Sequence, residues 1–298
     1  MSPGAAFLFP GQGSESPGMG AALLRRSART RALLARASRA LDLDLEAAVA
    51  RGHPLLRRTE ALQPVLLAIG LGLAEELERS GTTASAVAGH SVGEMAAVCA
   101  AGYLAAEEAM DAVVERGRLM AEAARLHPGG MAALRARAQG EVSAALEVGL
   151  AAGPVGVAAH NGPTQWVLSG SARALAAVAS RFPTVPLPVS GPWHSELMAD
   201  AERRWLPFLR QLQWRPPRLA LVAGQTGQVV EDGDDLPALL AAQLTRPVRW
   251  AEALRTLADA GVEAWHVLGP GRTLRGLCRE NLGLQVQVQI LDGAEARA

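Results

Sequence analysis

The segment Gly89-His90-Ser91-Val92-Gly93 places a serine between two glycines in the pattern G-x-S-x-G. A serine hydroxyl serves as a nucleophile when a sharp strand-to-helix turn exposes it, and small flanking residues permit that turn. At the start of a helix the serine also meets unpaired backbone N–H groups and the positive end of the helix dipole. The pattern predicts Ser91 as a nucleophile, although a pattern this short also occurs in ordinary turns.

A serine nucleophile needs a general base within hydrogen-bonding distance. His194 is the best placed of the histidines, because it follows a Gly-Pro turn where the chain leaves a small insert. Most lone histidines are structural or exposed; the six in this chain are His53, His90, His127, His160, His194 and His266. Acidic residues also lie between Ser91 and His194, so a conventional carboxylate partner stays open: Asp111, Glu115 and Glu141.

Apolar runs and helical patterns alternate around these residues. Residues 86–88 predict a short strand entering the serine turn, and the run after the turn favours a helix. Further strands are predicted over 5–9, 219–223 and 264–268, and helices over 63–79 and about 105–125.

Between residues 129 and 188 the elements become shorter. Strands are predicted over 131–134, 155–159, 165–168 and 185–188, and helices over 139–151 and 172–180. This β-α-β-β-α-β order is that of a ferredoxin-like unit. We therefore predict an α/β fold in which an α/β-hydrolase-like catalytic domain with a parallel sheet, residues 1–127 and 191–298, is interrupted by a ferredoxin-like small subdomain, residues 128–190.

Composition limits the classes of partner. The 298 residues carry 29 basic and 29 acidic side chains, so net charge predicts neither nucleic acid nor a membrane surface as partner. Cys99 and Cys278 are far apart and lack the spacing of a disulfide framework or a metal site. No signal peptide or bilayer-spanning run is evident. We expect a soluble, cytoplasmic protein with no bound metal.

Several motifs together resemble the malonyl-CoA:acyl carrier protein transacylase family. They occur in the family's order over essentially the whole chain: FPGQGSE (9–15), GHSVGEMAA (89–97), the Arg-Gly pair of VERGRLM (114–120), HNGPTQWVLSG (160–170), GPWHSELM (191–198), QLTRPVRW (243–250) and VLGPGRTL (267–274). Each string alone is weak evidence, and their joint occurrence is strong.

The resemblance implies catalytic roles for five residues. Ser91 is the nucleophile and His194 the general base and acid. The backbone N–H groups of Val92 and Gln12 form the oxyanion hole. A main-chain carbonyl at Gln243, in place of a carboxylate, orients the histidine.

The resemblance also implies that Arg116 binds the free carboxylate of a malonyl group. A guanidinium fits that task because it offers two charge-assisted hydrogen bonds. The alternative is a solvated helix arginine, and Arg118 is then the neighbour to test. His90 is expected to reach the same carboxylate, and Asn161 to shape the pocket.

Trp193 departs from the family, in which serine or phenylalanine is common before the catalytic histidine. A bulky residue there accompanies unbranched malonyl in the family, so we expect Trp193 to narrow the cleft against methylmalonyl. The indole could equally pack under the insert or close a pocket shaped for an unusual acyl group.

The implied reaction moves a malonyl group from coenzyme A to the phosphopantetheine thiol of an acyl carrier protein, with acyl-CoA as substrate, no cofactor and a monomeric enzyme. Two other enzymes remain open: a trans-acting polyketide acyltransferase with another acyl group or an acyl-carrier donor, and an acyl-carrier thioester hydrolase. A docking subunit with a vestigial site is a non-enzymatic alternative.

Overall fold

Strand β1 (Gly4–Phe9) is apolar on both faces because it runs through the middle of the molecule. Phe7 and Phe9 pack into one hydrophobic core, whereas Ala6 and Leu8 pack into a second core on the opposite face. This period of two is that of a strand covered on both sides. The computed structural model describes residues 4–293. Strand β1 is the central strand of the larger of its two sheets.

The chain before the insert is mainly helical. After β1 it forms α1 (Ala21–Arg26), α2 (Ala28–Leu41), α3 (Leu45–Arg51), α4 (Thr59–Arg79), β2 (Ala86–Gly89), α5 (Gly93–Ala101) and α6 (Ala106–Leu126). The predicted helices over 63–79 and 105–125 are confirmed, and α4 begins four residues earlier than expected. Helices α4 and α6 pack on the Phe7 face and carry side chains of the site.

The insert is a separate antiparallel sheet with two helices. Its elements are β3 (Gly129–Arg135), α7 (Gln139–Leu150), β4 (Val155–Gly162), β5 (Gln165–Ser171), α8 (Ala172–Ala179) and β6 (Thr184–Pro186). The element order is the predicted β-α-β-β-α-β, and the strands lie in the order β4-β5-β3-β6. A small core of its own joins α7 and α8 to the sheet.

The chain then returns to the large part. It forms α9 (Ala199–Leu209), β7 (Ala220–Val222), α10 (Leu236–Ala242), α11 (Trp250–Asp259), β8 (Val262–Leu268), α12 (Arg272–Leu282) and β9 (Val288–Leu291). The large sheet is parallel throughout, in the order β7-β2-β1-β8-β9. Strand β9 is not among the predicted elements. The predicted likeness of this part to α/β-hydrolases stays a prediction, as do the exact domain limits.

The two parts are joined by backbone as well as side chains. The His160 N–H donates to the Val248 carbonyl and the Val248 N–H to the Ala158 carbonyl, both at 2.9 Å. The imidazole of His160 also lies 3.1 Å from the carboxylate of Glu252 on α11. These contacts fasten strand β4 of the insert to the large part of the chain. Across residues 4–293, no helix is both long enough and apolar enough to cross a membrane.

Candidate active site

Ser91 stands in a tight turn between β2 and α5, with a left-handed backbone φ of 53°. Glycine is required on both sides of the turn, since the chain crosses itself there. A Cβ at Gly93 would lie 2.2 Å from the Phe9 carbonyl oxygen, and one at Gly89 would lie 2.1 Å from the Gly93 carbonyl carbon. The predicted strand–turn–helix arrangement is confirmed, and it exposes the serine side chain to the cleft.

His194 lies directly beside the serine. Its Nε2 is 2.8 Å from Ser91 Oγ, and its Nδ1 is 2.7 Å from the main-chain oxygen of Gln243. A carbonyl can only accept, so Nδ1 carries the proton and donates it to Gln243. Nε2 is therefore the unprotonated nitrogen, free to accept the Ser91 hydroxyl proton.

The Gln243 carbonyl is available because of where it lies. Gln243 is the C-terminal cap of α10, and the last carbonyls of a helix have no partner inside the helix. The three carboxylates left open by the sequence are engaged elsewhere: Asp111 pairs with Arg36, Glu115 pairs with Arg118, and Glu141 accepts the Arg137 N–H. Within the described part of the chain, no carboxylate contacts the His194 ring.

Burial and charge keep His194 neutral. Desolvation, followed by the nearby positive charge of Arg116, lowers the pKa of His194 to about 3, against the opposing hydrogen bond to Gln243. A neutral imidazole at physiological pH can act as a base without first losing a proton. The His194 side chain is buried, so the unprotonated Nε2 is reached only from the cleft.

Arg116, on α6, is brought to the same place although it is 1% exposed. Its Nη1 donates to Gln63 Oε1 at 2.6 Å and its Nη2 to Gln243 Oε1 at 2.7 Å. Nη2 also lies 3.5 Å from Ser91 Oγ, and the Trp205 ring covers the guanidinium at 5.7 Å. Burial lowers the pKa of Arg116 to about 9, opposed by the charge of Glu94, so it stays cationic at neutral pH.

The neighbouring arginine is in a different environment. Arg118 is exposed and forms an ion pair with Glu115 at 2.7 Å on the surface of α6. Each terminal nitrogen of Arg116 has two N–H bonds and gives one to an amide oxygen. Nη1 keeps one further N–H, and the second N–H of Nη2 is directed at Ser91 Oγ at 3.5 Å. Two donors side by side at the nucleophile are the pattern that a carboxylate accepts.

Sequence reasoning missed two buried polar residues, Gln63 and Glu94. Gln63 is 1% exposed on α4, where it donates to Thr59 Oγ1 at 2.7 Å and holds Arg116. A polar residue inside the apolar run Leu62-Gln63-Pro64-Val65 was a signal for it. Glu94 is 2% exposed beneath the turn.

Gln12 and Val92 both line the cavity that contains Ser91. Val92 is the N-terminal cap of α5, and Gln12 follows β1 in a loop that lines the same cavity. The Gln12 side chain accepts a hydrogen bond from Thr59 Oγ1 at 2.9 Å. Through Thr59 and Gln63, the predicted oxyanion loop is thus connected to Arg116.

His90 and Asn161 contact one another across the cleft. His90 Nε2 lies 2.9 Å from Asn161 Oδ1 on β4, and burial lowers the pKa of His90. A neutral ring donating to Asn161 ties the serine turn to the insert. The expected contact of His90 with a substrate carboxylate stays a prediction.

The cleft holds a cavity of about 170 Å³, which is small compared with sites for drug-sized ligands. Trp193, 4% exposed, forms part of its wall, with the ring edge packed against Gly191. Both parts of the chain contribute to the lining, including Gln12, Ser91, Arg116, Met131, Asn161 and Leu274. The space suits a short acyl group.

Metal ligands are not gathered anywhere in residues 4–293: no group of three or more His, Cys, Asp or Glu side chains is placed to hold an ion. Cys99 and Cys278 are buried free thiols, as predicted.

Comparison with known proteins identifies a family and several relatives. The family described as “Acyl transferase domain” matches residues 6–267. The malonyl CoA-acyl carrier protein transacylase of Bacillus subtilis strain 168 is 33% identical over 283 residues, which are 92% of this chain and 89% of that protein. A malonyl-transacylase solved with a holo type II polyketide synthase acyl-carrier protein superposes with a TM-score of 0.88 at 28% identity, covering 97% of this chain and 96% of that one.

A longer relative also matches. The polyketide biosynthesis protein ThaF of Burkholderia thailandensis is 35% identical over 93% of this chain, but the chain spans only 24% of that protein.

Proposed function

The chain belongs to the acyl transferase domain family, and from that premise we propose that it moves a malonyl group from coenzyme A to an acyl carrier protein. The group is carried as an ester on Ser91 between the two half-reactions. The relatives named malonyl CoA-acyl carrier protein transacylase support this substrate and acceptor.

The single observation that carries the substrate assignment is the buried guanidinium of Arg116. A serine and a histidine 2.8 Å apart serve any acyl transfer. A cation whose Nη2 donates to the serine oxygen over a long 3.5 Å contact can turn to a second carboxylate on the acyl group, and so selects an acyl group that has one. An acetyl group would leave this buried charge unpaired in the closed site, which costs binding energy.

In the first half-reaction, Ser91 Oγ attacks the thioester carbon as His194 Nε2 takes the hydroxyl proton. The carbonyl oxygen becomes an anion, for which the N–H groups of Val92 and Gln12 are the proposed donors. Each such donor contributes about 3 kcal/mol to the transition state. The C–S bond then breaks, and His194 returns the proton to the coenzyme A sulfur.

In the second half-reaction, the carrier's phosphopantetheine thiol gives its proton to His194 and attacks the malonyl-serine ester. Collapse of the second tetrahedral intermediate releases Ser91, which recovers the proton. Every group in this scheme belongs to one chain or to a substrate, so a monomer suffices. The malonyl-transacylase solved with its carrier protein supports a carrier as acceptor.

The experiment is intact-mass spectrometry after mixing the protein with malonyl-CoA, methylmalonyl-CoA or acetyl-CoA. We expect a malonyl-sized adduct that is absent in Ser91→Ala and is discharged by a holo acyl carrier protein. No adduct with any acyl-CoA would refute the proposal. Release of free malonate at the same rate without a carrier would instead identify a thioester hydrolase.

A further inference from the structure

Glu94 is a carboxylate that the proposed chemistry does not use. It follows Gly93 at the start of α5, directly beneath the serine turn, and is 2% exposed. Burial raises the pKa of Glu94 to about 7, against the hydrogen bonds from Gly224 and Gln243 and the charge of Arg116. An acid held in so unfavourable a place calls for an explanation in the site around it.

Its partners lead to the substrate side of the site. One carboxylate oxygen accepts the Gly224 N–H at 2.9 Å, and the other accepts a short hydrogen bond from Gln243 Nε2. The same Gln243 Nε2 also donates to the Ser91 carbonyl oxygen at 3.2 Å. Both N–H bonds of the amide thus face the serine turn.

The amide oxygen of Gln243 faces the other way and accepts from Arg116 Nη2 at 2.7 Å. An ionised carboxylate only accepts, and a guanidinium only donates. Turning the amide over would set oxygen against Glu94 and N–H against Arg116, with both contacts repulsive. The charges on either side therefore permit one orientation of Gln243.

We propose that Glu94 is a positioning residue for the acyl group's carboxylate: through the side chain of Gln243 it holds Arg116 Nη2 in place beside Ser91. The His194 hydrogen bond uses the main chain of Gln243, which the side-chain orientation does not alter. Glu94 therefore affects selection of a dicarboxylic acyl group more than the reactivity of the serine. This inference rests on the proposed function.

The variant that tests it is Glu94→Gln. The amide has the shape of the carboxylate but only one acceptor oxygen for the two donors, the Gly224 N–H and Gln243 Nε2. We expect the rate of Ser91 acylation by malonyl-CoA to fall about tenfold to a hundredfold, the effect of losing one charge-assisted hydrogen bond. Acylation by acetyl-CoA and labelling of Ser91 by phenylmethanesulfonyl fluoride are expected to change less than about threefold, since neither reagent has the second carboxylate that Arg116 would bind. Glu94→Asp, which keeps the charge, is expected to recover part of the malonyl rate.

Glu75→Gln is the matched control, since Glu75 lies in a surface ion pair with Arg79 and contacts nothing in the cleft. An equal loss with malonyl-CoA, acetyl-CoA and the sulfonyl fluoride would show a general structural role and overturn the inference. Recovery in Glu94→Gln but not in Glu94→Asp would overturn it as well.

A second measurement does not depend on the acyl donor. Thermal unfolding of Glu94→Gln, Arg116→Gln and the double variant gives the coupling between the two residues. We expect the losses in Tm to be non-additive, and to become additive when Gln243→Ala is present in all members. Coupling that survives Gln243→Ala would overturn the inference, whereas a wild-type protein that forms no malonyl adduct would refute only the proposed function.

Discussion

Ser91 and His194 are 103 residues apart in the chain, yet both have left-handed backbones, with φ values of 53° and 57°, and their side chains meet at 2.8 Å. Non-glycine residues adopt this conformation at a cost of about 1–3 kcal/mol each, which the surrounding fold must supply. Nucleophile and base are thus both held in strained conformations that direct them into one cleft.

Arg116 should separate malonyl from acetyl donors. Arg116→Ala is expected to lower kcat/KM for malonyl-CoA about 10²- to 10³-fold, since two charge-assisted hydrogen bonds are lost. The value for acetyl-CoA should fall far less. Arg118→Ala, which removes only surface ion pairs with Glu115 and Glu122, is the control and should remain within about twofold of wild type. Equal losses with both donors would contradict the assignment of Arg116.

The malonyl preference should depend on pH between 6 and 8. Burial raises the pKa of Glu94 to about 7. As the pH falls through that value the carboxylate gains a proton, so that it can donate a hydrogen bond as well as accept one. The other titratable groups nearby keep their charge in this window: the pKa of His194 is lowered to about 3, that of His90 is also lowered, and that of Arg116 is about 9.

The ratio of the rates at which malonyl-CoA and acetyl-CoA acylate Ser91, measured in quenched time courses, is therefore expected to decline from pH 8 to pH 6 in the wild type. In Glu94→Gln the same ratio should be low and flat. A wild-type ratio independent of pH would show that Glu94 does not titrate in this range.

The side chain of Gln243 and its main-chain carbonyl should have different effects. Gln243→Ala keeps the carbonyl that orients His194, so labelling of Ser91 by phenylmethanesulfonyl fluoride should stay within about threefold of wild type. Acylation by malonyl-CoA should fall about tenfold or more, because Arg116 Nη2 loses its acceptor. A parallel loss in both rates would contradict this division.

Trp193 should limit the size of the acyl group. In Trp193→Ser the wall of the cavity recedes, and the ratio of methylmalonyl to malonyl acylation is expected to increase about tenfold, as for one methyl group in an apolar pocket. Trp193→Phe should give a smaller increase, and Trp214→Phe, far from the cavity lining, should give none. Direct competition between the two acyl-CoAs measures the ratio.

Gly93 should tolerate no side chain. Gly93→Ala places a Cβ against the Phe9 carbonyl at 2.2 Å, and we expect a loss of about 3 kcal/mol or more in the free energy of unfolding. Gly140→Ala is the matched control: Gly140 lies in the first turn of α7, where an added Cβ would meet no atom within 4 Å, and the substitution should stabilise the protein by about 0.5–1 kcal/mol. Urea unfolding of both variants tests the pair.

The local parts of the fold were predictable because they depend on short-range chemistry. The spacing of Gly89 and Gly93 predicts the serine turn. The alternation of short strand and helix patterns predicts the insert. β9 was not predicted, although the alternation of apolar and polar residues in Val286-Gln287-Val288-Gln289-Ile290 has the period of a half-buried strand.

The site was predictable only where a motif or a resemblance named its residues. Ser91 could be inferred from its turn alone, whereas His194 was one histidine among six until the surrounding motif distinguished it. Gln63 and Glu94 act through contacts with residues 53 and 149 positions away, which no local pattern encodes.

The partner of His194 is an oxygen of the polypeptide backbone at the end of α10. A mutation at codon 243 changes the side chain but leaves that oxygen in every protein it encodes. Substitutions at position 243 can therefore change how Arg116 is held, and with it the preferred acyl group, while His194 keeps the oxygen that orients it. Diversification of substrate is open to such a site by single steps that never pass through an inactive ancestor.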